Sequence, residues 1–244
     1  MNVQTLSLPG AGDVSLTVYL PQNSPEMPNM TRRPSVLVIP GGGYHMCSDR
    51  EAEPIALGFL TCGYAAYVLR YSVQDAAQWP NPLCDAETAM KVIRDHAAEW
   101  DIDPDRIAAI GFSAGGHLAA ALATIGAAKP NALILGYPCI LNEMDCIREF
   151  DAPSLDGSVS AQTPPTFIFA ASDDDIVPIR HSLRFADALD AAGVPFEMHL
   201  YAHGGHGFSL ATPIVYANRE WLAKAAPCSA WMDDCTRWLA DIFA

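Results

Sequence analysis

The sequence predicts an α/β fold, a mostly parallel, twisted sheet with helices on both faces. Two observations carry the prediction. Short apolar runs rich in β-branched residues alternate with longer stretches of helical period, the order that builds a parallel sheet. Several of those runs are continuously apolar, as in strands covered on both sides. Half of the 244 residues are apolar and only 17% are charged, too hydrophobic for a disordered chain and enough for one sizeable core. No internal repeat, low-complexity tract or linker is visible, so residues 1–244 read as one domain.

Residues 14–20 alternate apolar and polar side chains, which suits an edge or half-buried strand. Residues 21–34 hold four prolines among polar spacers and read as a loop. Val36, Leu37, Val38 and Ile39 form a strand that Gly41, Gly42 and Gly43 end. A helix over 54–62 follows, with Pro54 in its first turn and Gly63 as its stop. Residues 64–71 are the next strand. Asn81 as N-cap and Pro82 behind it start a helix of about five turns. Leu83, Ala86, Met90, Ile93, Ala97 and Trp100 stripe one side of it. Residues 101–105 read as a turn and 107–111 as a strand. The Ala-rich helix over 114–125 is apolar on nearly every side and is expected to be buried. Residues 132–136 and 167–171 are short strands, and 183–192 is a helix stopped by Gly193 and Pro195. Residues 196–201 are the last strand, and Trp231, Cys235, Trp238, Ile242 and Phe243 share one face of a C-terminal helix. The long irregular stretch 139–165 reads as a small insertion or lid.

Composition narrows the function. Fourteen Lys+Arg against 28 Asp+Glu give a net charge of −14, which opposes a nucleic-acid or anionic-membrane partner. No stretch approaches the ~20 apolar residues of a membrane helix. The first residues lack the basic start and apolar run of a leader, so the expected address is the cytoplasm. The seven cysteines form no C-x-x-C pair. Cys139 with Cys146, and Cys228 with Cys235, are spaced to pair in an oxidising compartment; the reading preferred here is seven reduced, mostly buried thiols. An oligomer is compatible with the sequence.

The chemistry centres on Gly111-Phe112-Ser113-Ala114-Gly115, a G-x-S-x-G motif between a predicted strand and a predicted helix. A sharp strand-to-helix turn lifts the serine to the carboxyl end of the sheet, and the glycines remove collisions with neighbouring strands. A serine hydroxyl needs a general base. His206, in the glycine-rich loop after the last strand, is the candidate, with His203 as runner-up. His203-x-x-His206 also has metal-pair spacing, but no third ligand accompanies it, so no metal is expected. His117 lies one helical turn past Ser113 and reads as a packed, hydrogen-bonded histidine. His96, His181 and His199 sit on predicted helices or a strand and read as structural. The acid that orients the base should follow a strand, as Asp173, Asp174 and Asp175 do; only one of the three should serve. The triglycine stretch and the N–H of Ala114 supply backbone donors for an oxyanion. That stretch is no phosphate loop, because no G-K-[ST] follows it.

Ile39-Pro40-Gly41-Gly42-Gly43-Tyr44, Arg50-Glu51-Ala52-Glu53-Pro54, Tyr67-Val68-Leu69-Arg70-Tyr71-Ser72, Asp103-Pro104-Asp105-Arg106-Ile107 and Gly111 to His117 together resemble a known group. It is the small α/β-hydrolase esterases described as acetyl-esterase or xylan-esterase-like (BD-FAE-like). Val194 to Glu197 and Gly205 to Phe208 add to the likeness, which runs from about Val36 to Leu210. The resemblance implies an α/β-hydrolase fold with a small insertion in place of a large cap. Its D-x-x-V-P pattern selects Asp174, with Asp173 as the alternative, and its oxyanion glycines map to Gly42 and Gly43. Tyr44 and His45, just behind them, are candidate substrate contacts. Pro40 stands where many relatives have the histidine of His-Gly-Gly-Gly, a departure from the hormone-sensitive-lipase-like branch.

The expected function is therefore a serine esterase for short acyl groups, acetyl above all. The resemblance suggests O-acetyl groups on carbohydrates, so the expected partner is a small-molecule or oligosaccharide ester. Ser113, His206 and Asp174 would act through an acyl-enzyme, with Gly42, Gly43 and Ala114 as the oxyanion hole and without any cofactor. A general short-chain carboxylesterase or arylformamidase is the nearest rival. A serine peptidase of the prolyl-oligopeptidase type fits less well, since 244 residues leave no room for a gating propeller. An inactive binding scaffold is the rival of another class, and it predicts a missing triad member.

Overall fold

A computed structural model describes residues 1–27 and 30–244. Its strands are β1 (Asn2–Ser7), β2 (Ser15–Leu20), β3 (Arg33–Ile39), β4 (Ala65–Arg70), β5 (Ile102–Phe112), β6 (Ala132–Gly136), β7 (Thr166–Ala171) and β8 (Phe196–Tyr201). They make one sheet in the order β1-β2-β4-β3-β5-β6-β7-β8. The pairs β1–β2 and β2–β4 are antiparallel, and every pair from β4 to β8 is parallel. This is the α/β-hydrolase arrangement that the resemblance implied, an open sheet with helices on both faces.

Side chains alternate across each strand, and the two sets face two cores. Leu37, Ile39, Ile107 and Ala109 meet α2 (Asn81–Asp95), α3 (Ser113–Thr124) and α5 (Arg180–Ala191) on one side. Val36, Val38, Ala108 and Ile110 meet α1 (Glu53–Thr61) and α7 (Trp231–Ile242) on the other. Every residue of α3 is buried, as its all-round apolar character predicts. The stripe from Leu83 to Trp100 is buried too. Trp231 stacks on Phe169 at 4.2 Å between ring centroids and donates from Nε1 to the Ser209 carbonyl at 2.8 Å.

Several expectations need correction. β1 lies outside the predicted strands. It is an exposed edge strand with no buried face, so it carries no hydrophobic pattern. The loop read over 21–34 gives up Arg33 and Pro34 to β3, and its residues 28 and 29 lie outside the described residues. Pro34 is tolerated in a central strand because the β3–β5 register shifts between Arg33 and Ser35, where no ladder bond is required of it. The same shift absorbs the turn read over 101–105, since β5 already begins at Ile102. Asn81 is the first residue of α2 and not its N-cap; its amide donates to the Ala76 carbonyl. The helix ends at Asp95, and Ala97 and Trp100 follow in a turn. A short helix, α6 (Arg219–Ala225), was missed; the Asn218 side chain caps it by accepting from the Trp221 N–H. The cysteines are thiols, but Cys62 and Cys84 are exposed, and only Cys139, Cys228 and Cys235 are fully buried.

The 139–165 segment packs down on the sheet end. It contains the single-turn helix α4 (Asp145–Arg148), and its Phe150 and Leu155 are core residues. His117 ties it to α3. One ring nitrogen, Nε2, lies 2.8 Å from the Pro153 carbonyl, and Nδ1 lies 2.8 Å from the Tyr44 hydroxyl. The carbonyl requires Nε2 to donate, and the Tyr44 hydroxyl can donate to Nδ1 when the ring is neutral. Burial pushes its pKa down to about 4. The unfolded histidine, near 6.5, binds a proton in the window where the folded one does not. The stabilisation is therefore complete above about pH 6.5 and is lost as pH falls toward 4, by up to about 3 kcal/mol. His117→Gln should flatten that part of the pH dependence in denaturant unfolding measured from pH 7 to pH 4. An unchanged slope would remove His117 as its source.

Candidate active site

β5 passes into α3 with no residue between them, because Phe112 ends the strand and Ser113 starts the helix. The turn is taken by Ser113 itself at φ +53°, a left-handed conformation uncommon for a residue with a side chain. It holds because the surroundings leave no alternative. A Cβ on Gly115 would lie 2.3 Å from both the Ile39 and Pro40 carbonyl oxygens, so the first turn of α3 rests directly on the end of β3.

His206 enters from the loop after β8. Its Nε2 is 2.9 Å from Ser113 Oγ and its Nδ1 is 2.8 Å from Asp174 Oδ2. An ionised Asp174 only accepts, so Nδ1 carries the proton and Nε2 is free to receive one from Ser113. Asp174 is 1% exposed in its side chain, and its other oxygen accepts from the Ile176 and Val177 N–H groups at 3.0 and 2.8 Å. Asp173 is engaged elsewhere. It accepts from the Gly204 and Gly205 N–H groups and from His203 Nδ1, at 3.0, 2.9 and 3.2 Å. Burial opposes its ionisation, but those three donors together hold its carboxyl below the usual range. Of the two adjacent carboxylates, one orients His206 and the other shapes the loop that carries it. His203 reaches Asp173 and not Ser113, and it is 70% exposed in its side chain. Among the described residues no cluster of three metal-ligating side chains accompanies it.

Gly42 and Gly43 lie at φ +125° and +64°. A Cβ on Gly42 would come within 2.2 Å of the Met46 carbonyl oxygen, so this turn requires glycine. Both line a cleft of about 500 Å³ together with Ser113, His206, Met144, Cys146, Ile176 and Val177. Ala114 is buried, and its backbone N–H is one of the donors that a helix's first turn leaves without an intrahelical partner. Tyr44 and His45 are not brought to the cleft. Tyr44 is 1% exposed, with its hydroxyl on His117 and its ring against Tyr71 and Phe150. His45 points outward, 3.3 Å from Glu149 and edge-on to Phe150.

Further residues at the cleft and behind it come from outside the predicted site. Arg50 lies over the Tyr216 ring at 4.6 Å and lines the cleft, as does the buried Glu51. Glu51 sits in a motif read for likeness alone, where a charged residue before a helix looks like a solvated cap. Cys146 borders the cleft with its sulfur 3.8 Å from that of Cys139. Tyr137, at the end of β6, packs its ring against His206 at 5.2 Å between centroids. A second hollow of about 350 Å³ shares His206 and Ile176 with the first and adds Asp173, Asp175, Trp221 and Lys224.

The BD-FAE profile matches residues 16–138, and that of the Prolyl oligopeptidase family matches 81–235. An α/β hydrolase enzyme, MGS-M1, from a Medee basin deep-sea metagenome library is 44% identical and superposes with a TM-score of 0.92, covering 99% of this chain and 98% of that one. An acetyl ester-xyloside bifunctional hydrolase from Caldicellulosiruptor lactoaceticus is 34% identical, with a TM-score of 0.81 over 95% of this chain and 89% of its own. An acetylxylan esterase of Xylanibacter ruminicola is 30% identical over 234 residues, 87% of this chain and 47% of that protein. The chain thus spans between a third and a half of the length of the first curated relatives it matches.

Gly115→Ala should lower unfolding free energy by about 1–3 kcal/mol or more, because neither carbonyl it would strike is a flexible group. Thermal unfolding checks this; an alanine variant as stable as the parent would contradict the close approach.

Proposed function

The chain belongs to the BD-FAE family, and on that footing we propose that it is a carboxylic ester hydrolase for short acyl groups, chiefly acetyl, carried on sugar hydroxyls. The observation that carries the proposal is the pairing of a strained Ser113, its Oγ 2.9 Å from His206 Nε2, with a cleft edged by Gly42 and Gly43.

Ser113 Oγ attacks the ester carbonyl as its proton passes to His206 Nε2. Asp174 stabilises the imidazolium that results. Negative charge on the carbonyl oxygen meets the N–H groups of Gly42, Gly43 and Ala114, which find no other protein acceptor among the described residues. The alcohol leaves with the proton of His206. Water, deprotonated by the same ring, then cleaves acyl-Ser113 and frees the acid. The chain's own residues suffice for both halves.

The apolar side chains of Met144, Ile176 and Val177 at the cleft suit an acyl group. The second hollow supports a polar alcohol. It lies beside the group that protonates the leaving oxygen, and its carboxylates, indole and ammonium suit sugar hydroxyls. The relatives named for acetylxylan and acetyl ester–xyloside hydrolysis point the same way.

Hydrolysis of 4-nitrophenyl esters from acetyl to octanoyl, with acetylated xylo-oligosaccharides and a peptide anilide, tests this reading. Rates should be highest for acetyl and fall with chain length, and the anilide should be inert; preference for the anilide would overturn it. Ser113→Ala should lose nearly all activity and all labelling by a serine-reactive phosphonate while keeping its fold. Asp174→Asn should lower kcat by about three to four orders of magnitude, whereas Asp173→Asn should cost less than about ten-fold. Equal losses in steady-state rates would show that the two carboxylates had been assigned wrongly.

A further inference from the structure

Three loops meet at one buried carboxylate that the mechanism above does not use. Glu51 is 3% exposed. Its Oε2 accepts from the Gly41 N–H at 2.9 Å, and its Oε1 accepts from the Tyr137 hydroxyl at 2.6 Å. The Tyr137 oxygen accepts in turn from the Ser209 N–H at 3.1 Å. Each contact ends beside a proposed catalytic group. Gly41 precedes Gly42 and Gly43, Tyr137 rests edge-on against the His206 ring, and Ser209 lies three residues beyond His206.

Counting hydrogens assigns the charge. The Gly41 and Ser209 N–H groups can only donate. The Tyr137 oxygen already receives Ser209, so its own hydrogen goes to Glu51. A protonated Glu51 would bring one hydrogen too many into this space, and the ionised form satisfies every partner. Burial holds the carboxyl above the usual carboxylate range, and Tyr137, Gly41, His206 and Arg50 offset only part of that, so it is the hydrogen-bond directions that assign the charge.

We propose that Glu51 is a positioning residue that, as a buried anion, locks the oxyanion loop to the histidine loop through Gly41 and Tyr137. The inference rests on the esterase reading. Oxyanion donors act only when aimed within a few tenths of an ångström of the developing charge, and Gly41 is the anchor next to them. The groups facing Glu51 are Arg50 from its own stretch, Tyr71 beyond β4, Tyr137 beyond β6, and His206 and Tyr216 from the segment after β8. Burial pushes all three tyrosines upward, so they stay neutral near pH 7. His206 is the one partner whose charge changes during turnover. Glu51 therefore also favours the imidazolium, beside Asp174.

Glu51→Gln preserves shape but not proton count. If its oxygen accepts from Tyr137, its amide confronts the Gly41 N–H; if the amide is flipped, it confronts Tyr137, which then holds a hydrogen without an acceptor. Steady-state hydrolysis of 4-nitrophenyl acetate across pH, with thermal unfolding of each variant, tests the proposal. Glu51→Gln should lower kcat by about 10- to 100-fold with KM within about three-fold, and should move the acid limb of kcat/KM to lower pH. Glu51→Asp, which keeps the charge, should restore the limb to its parental position and recover part of kcat. Tyr137→Phe cuts one tether and leaves the charge, so kcat should fall with the limb unmoved. It serves as the reading if Glu51→Gln fails to fold. A parental kcat in either Glu51→Gln or Tyr137→Phe would overturn the proposal, as would a limb unmoved by Glu51→Gln. Full activity in Ser113→Ala would overturn the esterase reading and this inference together, whereas an inactive Ser113→Ala beside an unimpaired Glu51→Gln would remove the inference alone.

Discussion

Gly115 rests against the last carbonyls of β3 with no room for a methyl group, and that contact sets where everything else at the carboxyl end of the sheet can stand. It fixes the axis of α3 relative to the strand before it, which forces Ser113 into a left-handed conformation and projects Oγ above the sheet. It also brings the start of α3 beside the glycine loop that leaves β3. One steric approach thus places a hydroxyl, a helix terminus and two bare peptide groups together. Parallel neighbours on both sides of β5 hold the arrangement rigid.

The polar side of the site depends on sorting charges that crowd together. Asp173, Asp174 and Glu51 all lie within reach of one histidine loop in a chain with net charge −14. Each carboxylate is satisfied by a different set of donors. Asp174 takes two backbone N–H groups and the imidazole, Asp173 takes the loop's own amides, and Glu51 takes Gly41 and Tyr137. Asp174 and Glu51 are buried, and buried anions are tolerated only with their partners complete. Their mutual separation therefore specifies the loop's conformation as firmly as packing does.

The sheet was legible because a buried strand needs a continuous apolar run and a helix needs an apolar stripe, and both requirements are local. Residues 132–136, wholly buried and nearly all apolar, match their predicted ends for that reason. β1 escaped because an exposed edge strand makes no such demand, and the start of β5 escaped because a bulge admits Asp103 and Pro104. At the site, Ser113, His206 and the stretch 173–175 could be read from strand ends and glycine spacing. Which aspartate faces His206 follows from the turn that Ile176 and Val177 close, and the family-like pattern supplied what local chemistry left open. Tyr44 was misjudged by proximity in sequence, since one φ of +61° turns its side chain into the core. Glu51 and Tyr137 stayed hidden because 86 residues separate them and their pairing exists only in three dimensions.

The rim segment combines two kinds of residue. Phe150, Leu155 and the carbonyl held by His117 moor it to the scaffold, whereas Met144 and Cys146, on and beside one helical turn, border the cleft. The second kind also packs against the small buried cluster of Cys139, Ile147, Ala152 and Val177. One wall of the cleft is thus also the roof of a buried cluster, and any exchange of its side chains must conserve the volume enclosed beneath them.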